Sequence, residues 1–239
     1  MDQAPILTIT LNPALDISTS AARVVPDVKL RCEAPSFDPG GGGINVSRAI
    51  RNMGGHSTAL VALGGTTGQR MAAMLEATGI PVLSLPAPGE TRQSLTADDR
   101  ATRQQYRFVM PGPEWSADDV ARALELATEM APGDGLVVLS GSNPPGVPAS
   151  FGAMLAGRLQ GQGTRLIVDT SGEALATVAA ARDRRVEILR MDDEEAEGLA
   201  GQPLPYRADT AAFAASLVAS GAARGVIVAR GRDGNIIAT

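Results

Sequence analysis

Four consecutive glycines, Gly40 to Gly43, stand directly before a stretch with helical periodicity. Glycine loses more backbone entropy on folding than any other residue, so such a run needs a physical reason. Without Cβ atoms the backbone N–H groups can be approached closely, and they lie at the positive end of a helix predicted to start near Gly43. Such a site suits an anionic or hydroxyl-rich ligand. The alternative interpretation is a flexible turn, but a turn needs only one or two glycines.

Two familiar glycine-rich loops do not fit this run. The phosphate-binding P-loop needs a lysine after its last glycine, and Lys29 is the only lysine of the chain. The dinucleotide-binding fingerprint follows the first strand immediately, whereas this run begins about 30 residues after the first predicted strand. The glycines therefore belong to neither class.

The composition bounds the function classes. The chain has 239 residues, of which 44% are apolar and 20% charged, so it can bury a sizeable core. A net charge of -5 without any basic run argues against nucleic acid or an anionic membrane as a partner, and no segment approaches the roughly 20 apolar residues of a membrane span. Cys32 is the only cysteine, which excludes an internal disulfide and fits a reducing, cytoplasmic setting.

Strands and helices are expected to alternate along most of the chain. The predicted strands are apolar on both faces and therefore covered on both sides: Ile6–Leu11, Ala59–Leu63, Leu136–Leu139, Leu166–Val168, Val186–Leu189 and Val226–Val228. The predicted helices lie between them: Asn45–Met53, Gln69–Thr78, Asp118–Met130, Phe151–Leu159 and Ala211–Ala219. Ser116 and Asp119 have the spacing of a capping box. This order predicts an α/β fold with a mainly parallel sheet, in which ligands bind beyond the carboxyl ends of the strands.

Two segments interrupt this alternation. Ala22–Phe37 and Arg92–Met110 alternate polar and apolar residues with no helix between their strands, so we predict antiparallel ribbons outside the main sheet. A lid or a dimerisation flap is the natural interpretation. With no interdomain linker in view, residues 1–239 are predicted to form one domain with lid segments at about 16–37 and 91–112.

Several motifs together carry a family resemblance. They are "NPALD" at residues 12–16, "PGGGGINVSRAI" at 39–50, "QYRFVMPG" at 105–112, "SGSNPPGV" at 140–147 and "VDTSGEAL" at 168–175. The chain resembles the ribokinase-like (PfkB) carbohydrate kinases from about residue 5 onward and, within them, the minor-type 6-phosphofructokinases. The resemblance implies an α/β core with a β-ribbon lid that often pairs in a dimer, so a homodimer through the lid is expected.

The resemblance implies a set of substrate contacts. Asp16 would accept hydrogen bonds from sugar hydroxyls, for which a carboxylate with two acceptor oxygens is well suited. Without the family, a helix cap or turn would explain Asp16 equally. The other implied sugar and phosphate contacts are Gly40, Gly41, Asn45, Lys29, Arg92, Arg107 and Ser142. Arg107 could equally be a solubilising charge on an exposed ribbon.

A second set is implied for the nucleotide. The family has Lys-Pro-Asn-x-x-Glu after a core strand, where Asn and Glu organise magnesium through water. This chain has Arg190 and Met191 in place of Lys-Pro, Asp192 in place of Asn, and Glu195 at the Glu. Acids in the first turn of a helix are an alternative explanation. Gly231 and Gly234 match a family turn under the nucleotide. ATP and Mg²⁺ are therefore the expected cofactors.

The family's second signature, Gly-Ala-Gly-Asp, does not occur up to Thr239. In the family it supplies the general base, so no catalytic residue is assigned within this chain. We expect either a truncated kinase, which the start of a strand at "NIIAT" favours, or a short relative that binds without turnover.

The sequence thus predicts ATP-dependent phosphorylation of a hexose phosphate. Fructose 6-phosphate is the first expectation, with tagatose 6-phosphate or fructose 1-phosphate as alternatives. A catalytically silent sugar-phosphate binding or regulatory module is a hypothesis of a different class, and a free-sugar or nucleoside kinase is a third.

Overall fold

The structure is a computed structural model that describes residues 3–182 and 186–239. Its strands are β1 (Ile6–Thr10), β2 (Ala14–Ala21), β3 (Ser36–Gly40), β4 (Thr58–Leu63), β5 (Val82–Pro86), β6 (Arg92–Asp99), β7 (Gln104–Val109), β8 (Leu136–Ser140), β9 (Arg165–Asp169), β10 (Val186–Asp192), β11 (Ala223–Ala229) and β12 (Asn235–Ala238). Its α-helices are α1 (Gly42–Asn52), α2 (Gly65–Glu76), α3 (Ala117–Glu129), α4 (Phe151–Leu159), α5 (Gly172–Ala180), α6 (Asp193–Ala200) and α7 (Arg207–Ala219).

Eight strands of the described chain form the main sheet, in the order β12-β11-β10-β9-β8-β1-β4-β5. All its neighbouring strands are parallel except β11 and β12, which are antiparallel. The expected α/β fold with a mainly parallel sheet is therefore confirmed. None of the helices in the described residues is long and apolar enough to cross a membrane.

Both faces of the main sheet are covered, as the apolar strands predicted. In β4, Leu60 and Ala62 belong to the larger hydrophobic core, which includes residues of α3, α4 and α5. Ala59, Val61 and Leu63 alternate with them and belong to a second core with residues of α1 and α2. Because successive side chains of a strand point to opposite faces, one apolar run contributes to two cores.

A second sheet of four strands has the order β3-β2-β6-β7. β2 is antiparallel to β3 and parallel to β6, and β6 is antiparallel to β7. We call these four strands the lid sheet. The ribbon expected at Arg92–Met110 is present as the hairpin β6–β7.

The first ribbon was placed wrongly. Its strands are Ala14–Ala21, which ends just before the predicted segment Ala22–Phe37, and Ser36–Gly40, which overlaps only the last two residues of that segment. Residues 22–35 connect them with only one isolated bridge, between Ala21 and Cys32. Two prolines in this connection, Pro26 and Pro35, have no N–H to give to a ladder, which explains why the strands do not extend into it.

The predicted core strands and helices are present, with ends that shift by a few residues. Three elements were missed: β5, α5 and α6. β5 is short, contains Pro86 and lies at the edge of the main sheet, where a missing N–H costs no ladder bond. The helices α5 and α6 consist mostly of alanine, glycine and polar or acidic residues, so they have few large apolar side chains that could show a periodicity.

Candidate functional site

A cleft lies on the lid sheet beside the glycine turn that precedes α1, with a volume of about 430 Å³. Parts of β2, β6 and β7 form it together with Gly40 and Gly41. Its polar lining residues are Asp16, Ser18, Arg92, Ser94, Thr96, Gln105 and Arg107. Of the predicted substrate residues, the structure therefore brings together Asp16, Gly40, Gly41, Arg92 and Arg107.

Asp16 is the acidic group of this cleft. It lies on β2, opposite Asp38 of β3 and Ser94 of β6, and the Ser94 side chain hydrogen-bonds to it. Burial raises the pKa of the Asp16 carboxyl above its usual value, and Asp38 raises it further. Arg92, Arg107 and the Ser94 hydrogen bond act in the opposite direction and favour the carboxylate. The ionised group is thus partly desolvated beside two cations, with acceptor capacity for a ligand.

Arg92 opens β6 and is held by backbone carbonyls. Its Nε and Nη2 donate to the carbonyl oxygen of Asn12 at 3.3 and 3.2 Å, and its Nη1 donates to that of Met110 at 3.3 Å. Burial lowers the pKa of the guanidinium and the Asp16 carboxylate raises it. These three hydrogen bonds fix the fork of a cation whose geometry suits a phosphate or a carboxylate.

The four glycines have different reasons for lacking a side chain. Gly41 has φ +147°, which L side chains rarely adopt, and a Cβ on Gly40 would lie 2.1 Å from Oδ2 of Asp16. A Cβ on Gly42 would lie 2.3 Å from Oγ of Ser140, and one on Gly43 would lie 2.6 Å from Oγ1 of Thr10. Gly40 and Gly41 therefore line the cleft, whereas Gly42 and Gly43 let α1 pack closely onto the ends of core strands. The run of glycines serves packing as well as the cleft.

Three predicted substrate residues lie outside the cleft lining. Lys29 is exposed in the connection 22–35, and Asn45 is exposed in the first turn of α1. Ser142 lines a neighbouring cavity of about 480 Å³. It connects to the cleft indirectly, because Asn12 Nδ2 donates to Ser142 Oγ at 3.2 Å while the Asn12 carbonyl accepts from Arg92.

The predicted nucleotide residues lie near the carboxyl ends of β10 and β11. Asp192 and Glu195 form a capping box on α6: Glu195 N donates to Asp192 Oδ1, and Asp192 N donates to Glu195 Oε2, both at 2.8 Å. These acids therefore lie at the start of a helix, as the alternative explanation predicted. Burial is the main cause that raises the pKa of Glu195, and the neighbouring Asp192 adds to it. Gly231 and Gly234 bracket the turn between β11 and β12.

The Arg190 guanidinium is already paired with a carboxylate of the protein. Its Nη1 donates to Oδ1 of Asp169 at 3.0 Å, and Oδ2 of Asp169 accepts from Oγ of Ser140 at 2.8 Å. Ser140, Asp169 and Arg190 therefore link the ends of three neighbouring strands, β8, β9 and β10.

Sequence reasoning missed Asn12, Ser140 and Asp169 as parts of the polar edge. All three stand inside motifs that carried the family resemblance, namely "NPALD", "SGSNPPGV" and "VDTSGEAL". Each follows or ends an apolar core strand, and this position was the signal that could have found them. In the described residues, no three His, Cys, Asp or Glu side chains converge as metal ligands would.

Known proteins resemble this chain over most of its length. The family profile of the pfkB family carbohydrate kinases matches residues 8–239. The chain is 40% identical over 229 residues to ATP-dependent 6-phosphofructokinase isozyme 2 of Escherichia coli K12, covering 96% of this chain and 73% of that protein.

Solved structures of phosphofructokinase-2 from Escherichia coli share the fold. The complex with fructose-6-phosphate superposes with a TM-score of 0.91 at 39% identity and covers 99% of this chain and 77% of that chain. The tetrameric inhibited form superposes with a TM-score of 0.90 at the same identity and coverage. The profile match, the identity and the ribokinase-like fold together establish that this chain belongs to the pfkB family of carbohydrate kinases.

Proposed function

We propose that this chain acts on a hexose phosphate as an ATP-dependent kinase, with fructose 6-phosphate as its substrate. The observation that carries the proposal is the cleft in which the Asp16 carboxylate lies beside Arg92 and Arg107. A phosphorylated sugar presents hydroxyl donors to an acceptor and a dianion to guanidinium groups, and this cleft offers both. The similarity to a 6-phosphofructokinase supports the choice of ketose.

The residues of the cleft would bind and orient the sugar. Asp16 accepts hydrogen bonds from its hydroxyls, while the backbone of Gly40 and Gly41 allows close approach. Arg92 holds the phosphate in a fixed direction because its own fork is anchored to Asn12 and Met110. Such positioning, with exclusion of water by the lid sheet, is the binding contribution that phosphoryl transfer needs. Lys29, Asn45 and Ser142 are also proposed to contact the sugar phosphate. Because these residues lie outside the cleft lining, the contacts would form only when the ligand binds or the residues move.

The nucleotide side is proposed at the carboxyl ends of β10 and β11. Asp192 and Glu195 would hold Mg²⁺ through water, and Gly231 and Gly234 would underlie ATP. In the capping box, one oxygen of each carboxylate accepts a backbone N–H, which leaves Oδ2 of Asp192 and Oε1 of Glu195 with acceptor capacity. Hard carboxylate oxygens of this kind suit Mg²⁺, which when bound would offset the charge of the phosphates. Arg190 would contribute positive charge near the nucleotide, although it is already paired with Asp169.

Calorimetric titration tests the substrate. We expect fructose 6-phosphate to bind at least about tenfold more tightly than fructose, since a charge-assisted phosphate contact is worth about 1.5–3 kcal/mol. Arg92→Ala should remove this preference while leaving the affinity for fructose nearly unchanged. Arg122→Ala, which removes an exposed arginine of α3, is the control. Equal affinity of the wild type for both sugars would contradict the proposal, and release of ADP in a coupled assay would test turnover.

We also propose a homodimer that forms through the lid sheet; the Escherichia coli relative is itself described in a tetrameric inhibited form. The lid carries exposed apolar side chains near the end of β7, with Phe108 55% and Val109 65% exposed, and Val28 and Leu30 on the connection 22–35 are exposed as well. Exposed apolar side chains gathered on one element are typical of an interface. Sedimentation velocity should show a dimer that Val109→Asp converts to a monomer, and a monomeric wild type would contradict this.

A further inference from the structure

The base of the lid sheet is fastened to a core helix by a carboxylate that the proposed substrate contacts do not use. Glu90 precedes β6 by two residues, and its carboxylate lies at the N-terminus of α2. Its Oε2 accepts from Thr66 N at 3.2 Å and its Oε1 accepts from Thr67 N at 2.5 Å. These bonds join residues 23 and 24 positions apart, so they connect two separate elements.

The N-terminus of α2 has no capping side chain of its own, and Glu90 caps it from another segment of the chain. Its N-cap residue is Gly64, which has no side chain to cap with, and its first turn contains no acid. Gly65 has φ +65°, and a Cβ there would lie 1.8 Å from Oε2 of Glu90. The N–H groups of the first turn therefore have no partner within the helix, and the two glycines leave space for a carboxylate above these donors at the positive end of the helix.

The hydrogen bonds around Glu90 are continuous with the start of β6. Thr91 N donates to the carbonyl of Gly64, and Gly64 N donates to Oγ1 of Thr91, both at 2.9 Å. Gln93 Nε2 donates to Oγ1 of Thr67 at 3.2 Å. The hydrogen bonds from Thr67 and Thr66 hold the pKa of Glu90 below its usual value, so the group is ionised at neutral pH.

Arg92 lies between the tethered residues Thr91 and Gln93. Glu90, Thr91 and Gln93 are all hydrogen-bonded to Gly64 or to the first turn of α2. These bonds fix the position of the Arg92 backbone, at the start of the lid strand β6, relative to α2. A second contact between α2 and the lid is the Arg70 guanidinium, which lies 3.6 Å from the centroid of the Phe37 ring in β3. The lid sheet is thus attached to α2 along two of its strands.

We infer that Glu90 is a positioning residue for sugar-phosphate binding, acting through the attachment of β6 to α2 that places Arg92 in the cleft. This inference rests on the proposed function for its ligand, although the tether itself does not. Replacing a helix cap that served stability alone would change the free energy of unfolding without changing the affinity for the substrate. Glu90 differs because the segment it holds continues directly into the cleft.

The test is Glu90→Gln, with fructose 6-phosphate as the probe in calorimetric titration. The neutral amide keeps only one of the two acceptor oxygens and replaces the other with an NH₂ donor that faces an N–H group, so we expect the affinity to fall by roughly fivefold. Asp119→Asn is the matched control, since Asp119 also accepts a backbone N–H at a helix N-terminus but caps α3, which packs on α4. It should lower the melting temperature and leave the affinity unchanged.

The Glu90→Gln, Arg92→Ala double variant separates positioning from a general structural effect. If Glu90 acts through Arg92, Glu90→Gln should have no further effect on affinity once Arg92 is replaced. An unchanged affinity in Glu90→Gln, or an undiminished loss in the Arg92→Ala background, would overturn the inference.

Hydrogen exchange gives a measurement that needs no ligand. In Glu90→Gln we expect faster amide exchange over residues 92–99, whereas Asp119→Asn should leave those amides as in the wild type. Unchanged exchange there would overturn the tether itself. If exchange accelerates but the wild type shows no Arg92-dependent binding of fructose 6-phosphate, the proposed substrate is wrong and the positioning role falls with it.

Discussion

The two predicted halves of the site differ in how their polar groups are used. In the cleft on the lid sheet, Asp16 and Arg92 come from different strands and face a shared open volume. At the ends of β10 and α6, Asp192 and Glu195 bond to each other's backbone within four residues. The first arrangement exists only because the chain folds back on itself, whereas the second is complete within one helical turn.

This difference shows what a motif can and cannot indicate. The spacing of Asp192 and Glu195 has a full structural explanation as a capping box, so by itself it supports no ligand. Asp16 and Arg92 have no such local explanation, and burial of Asp16 disfavours its ionised state. A fold keeps a partly buried charge at a cost in stability, which makes the cleft the stronger functional candidate.

Removal of the Asp16 carboxylate should have the largest effect on binding. Asp16→Ala is expected to weaken fructose 6-phosphate binding by about 100-fold, because two charge-assisted hydrogen bonds are lost. Asp16→Asn should weaken it less, by about tenfold, since the amide keeps one acceptor oxygen. Titration calorimetry measures both. A wild-type affinity in Asp16→Ala would show that the cleft does not bind the sugar phosphate through Asp16.

Gly43→Ala tests whether the glycine run serves packing. Its Cβ would lie 2.7 Å from the carbonyl oxygen of Ile9 in addition to its contact with Thr10, so we expect a loss of about 2–3 kcal/mol in the free energy of unfolding. Gly198→Ala is the matched helical control, because a Cβ there meets nothing within 4 Å. It should stabilise the protein by up to about 1 kcal/mol in urea unfolding. Equal effects at both positions would refute the packing role of Gly43.

The raised pKa of Asp16 predicts opposite effects of pH on binding and stability. As the pH falls through this pKa, the carboxyl becomes protonated and loses acceptor capacity, so affinity for the sugar phosphate should fall by up to about tenfold per pH unit. The folded protein holds this proton more tightly than the unfolded chain. The contribution of Asp16 to stability therefore decreases as the pH rises from 3.8 through the folded-state pKa.

Asp16→Asn supplies the reference for both pH profiles. It lacks the titrating carboxyl, but its affinity still changes with the ionisation of the substrate phosphate, as that of the wild type does. The difference between wild type and variant, measured by titration calorimetry and by thermal unfolding from pH 4 to 7, isolates Asp16. Parallel profiles would contradict the assignment.

The smallest effect is expected on the nucleotide side. Asp192→Asn should keep the helix cap and change the free energy of unfolding by only a few tenths of a kcal/mol, whereas Asp192→Ala should cost about 1 kcal/mol. Because Asp192 is proposed to hold Mg²⁺ through water, removing its negative charge should also weaken Mg²⁺-ATP binding by about twofold to threefold. Fluorescence titration with a labelled ATP analogue measures this. Unchanged or tighter nucleotide binding in Asp192→Asn would contradict a role of this carboxylate in holding the metal.

Much of the fold was predictable because its signals are local. Apolar runs identified the core strands, and the Ser116 and Asp119 pair identified the start of α3, where both bonds of the capping box are present. The first ribbon was misplaced because its strands, Ala14–Ala21 above all, mix small, polar and apolar residues without a clear apolar face. Pairing with β3 and β6 on either side decides that strand, and such pairing is not visible along the chain.

The candidate site divides in the same way. The sequence by itself determined the parallel α/β core, the glycine turn before α1 and the cap of α3, because apolar periodicity and bonds within one turn depend on neighbouring residues. Only the tertiary structure decided that Asp16 shares a cleft with Arg92, that Gly42 and Gly43 face protein atoms, and that Glu90 holds α2. Those contacts join segments distant along the chain, and burial, exclusion of water and charge proximity arise only when such segments meet.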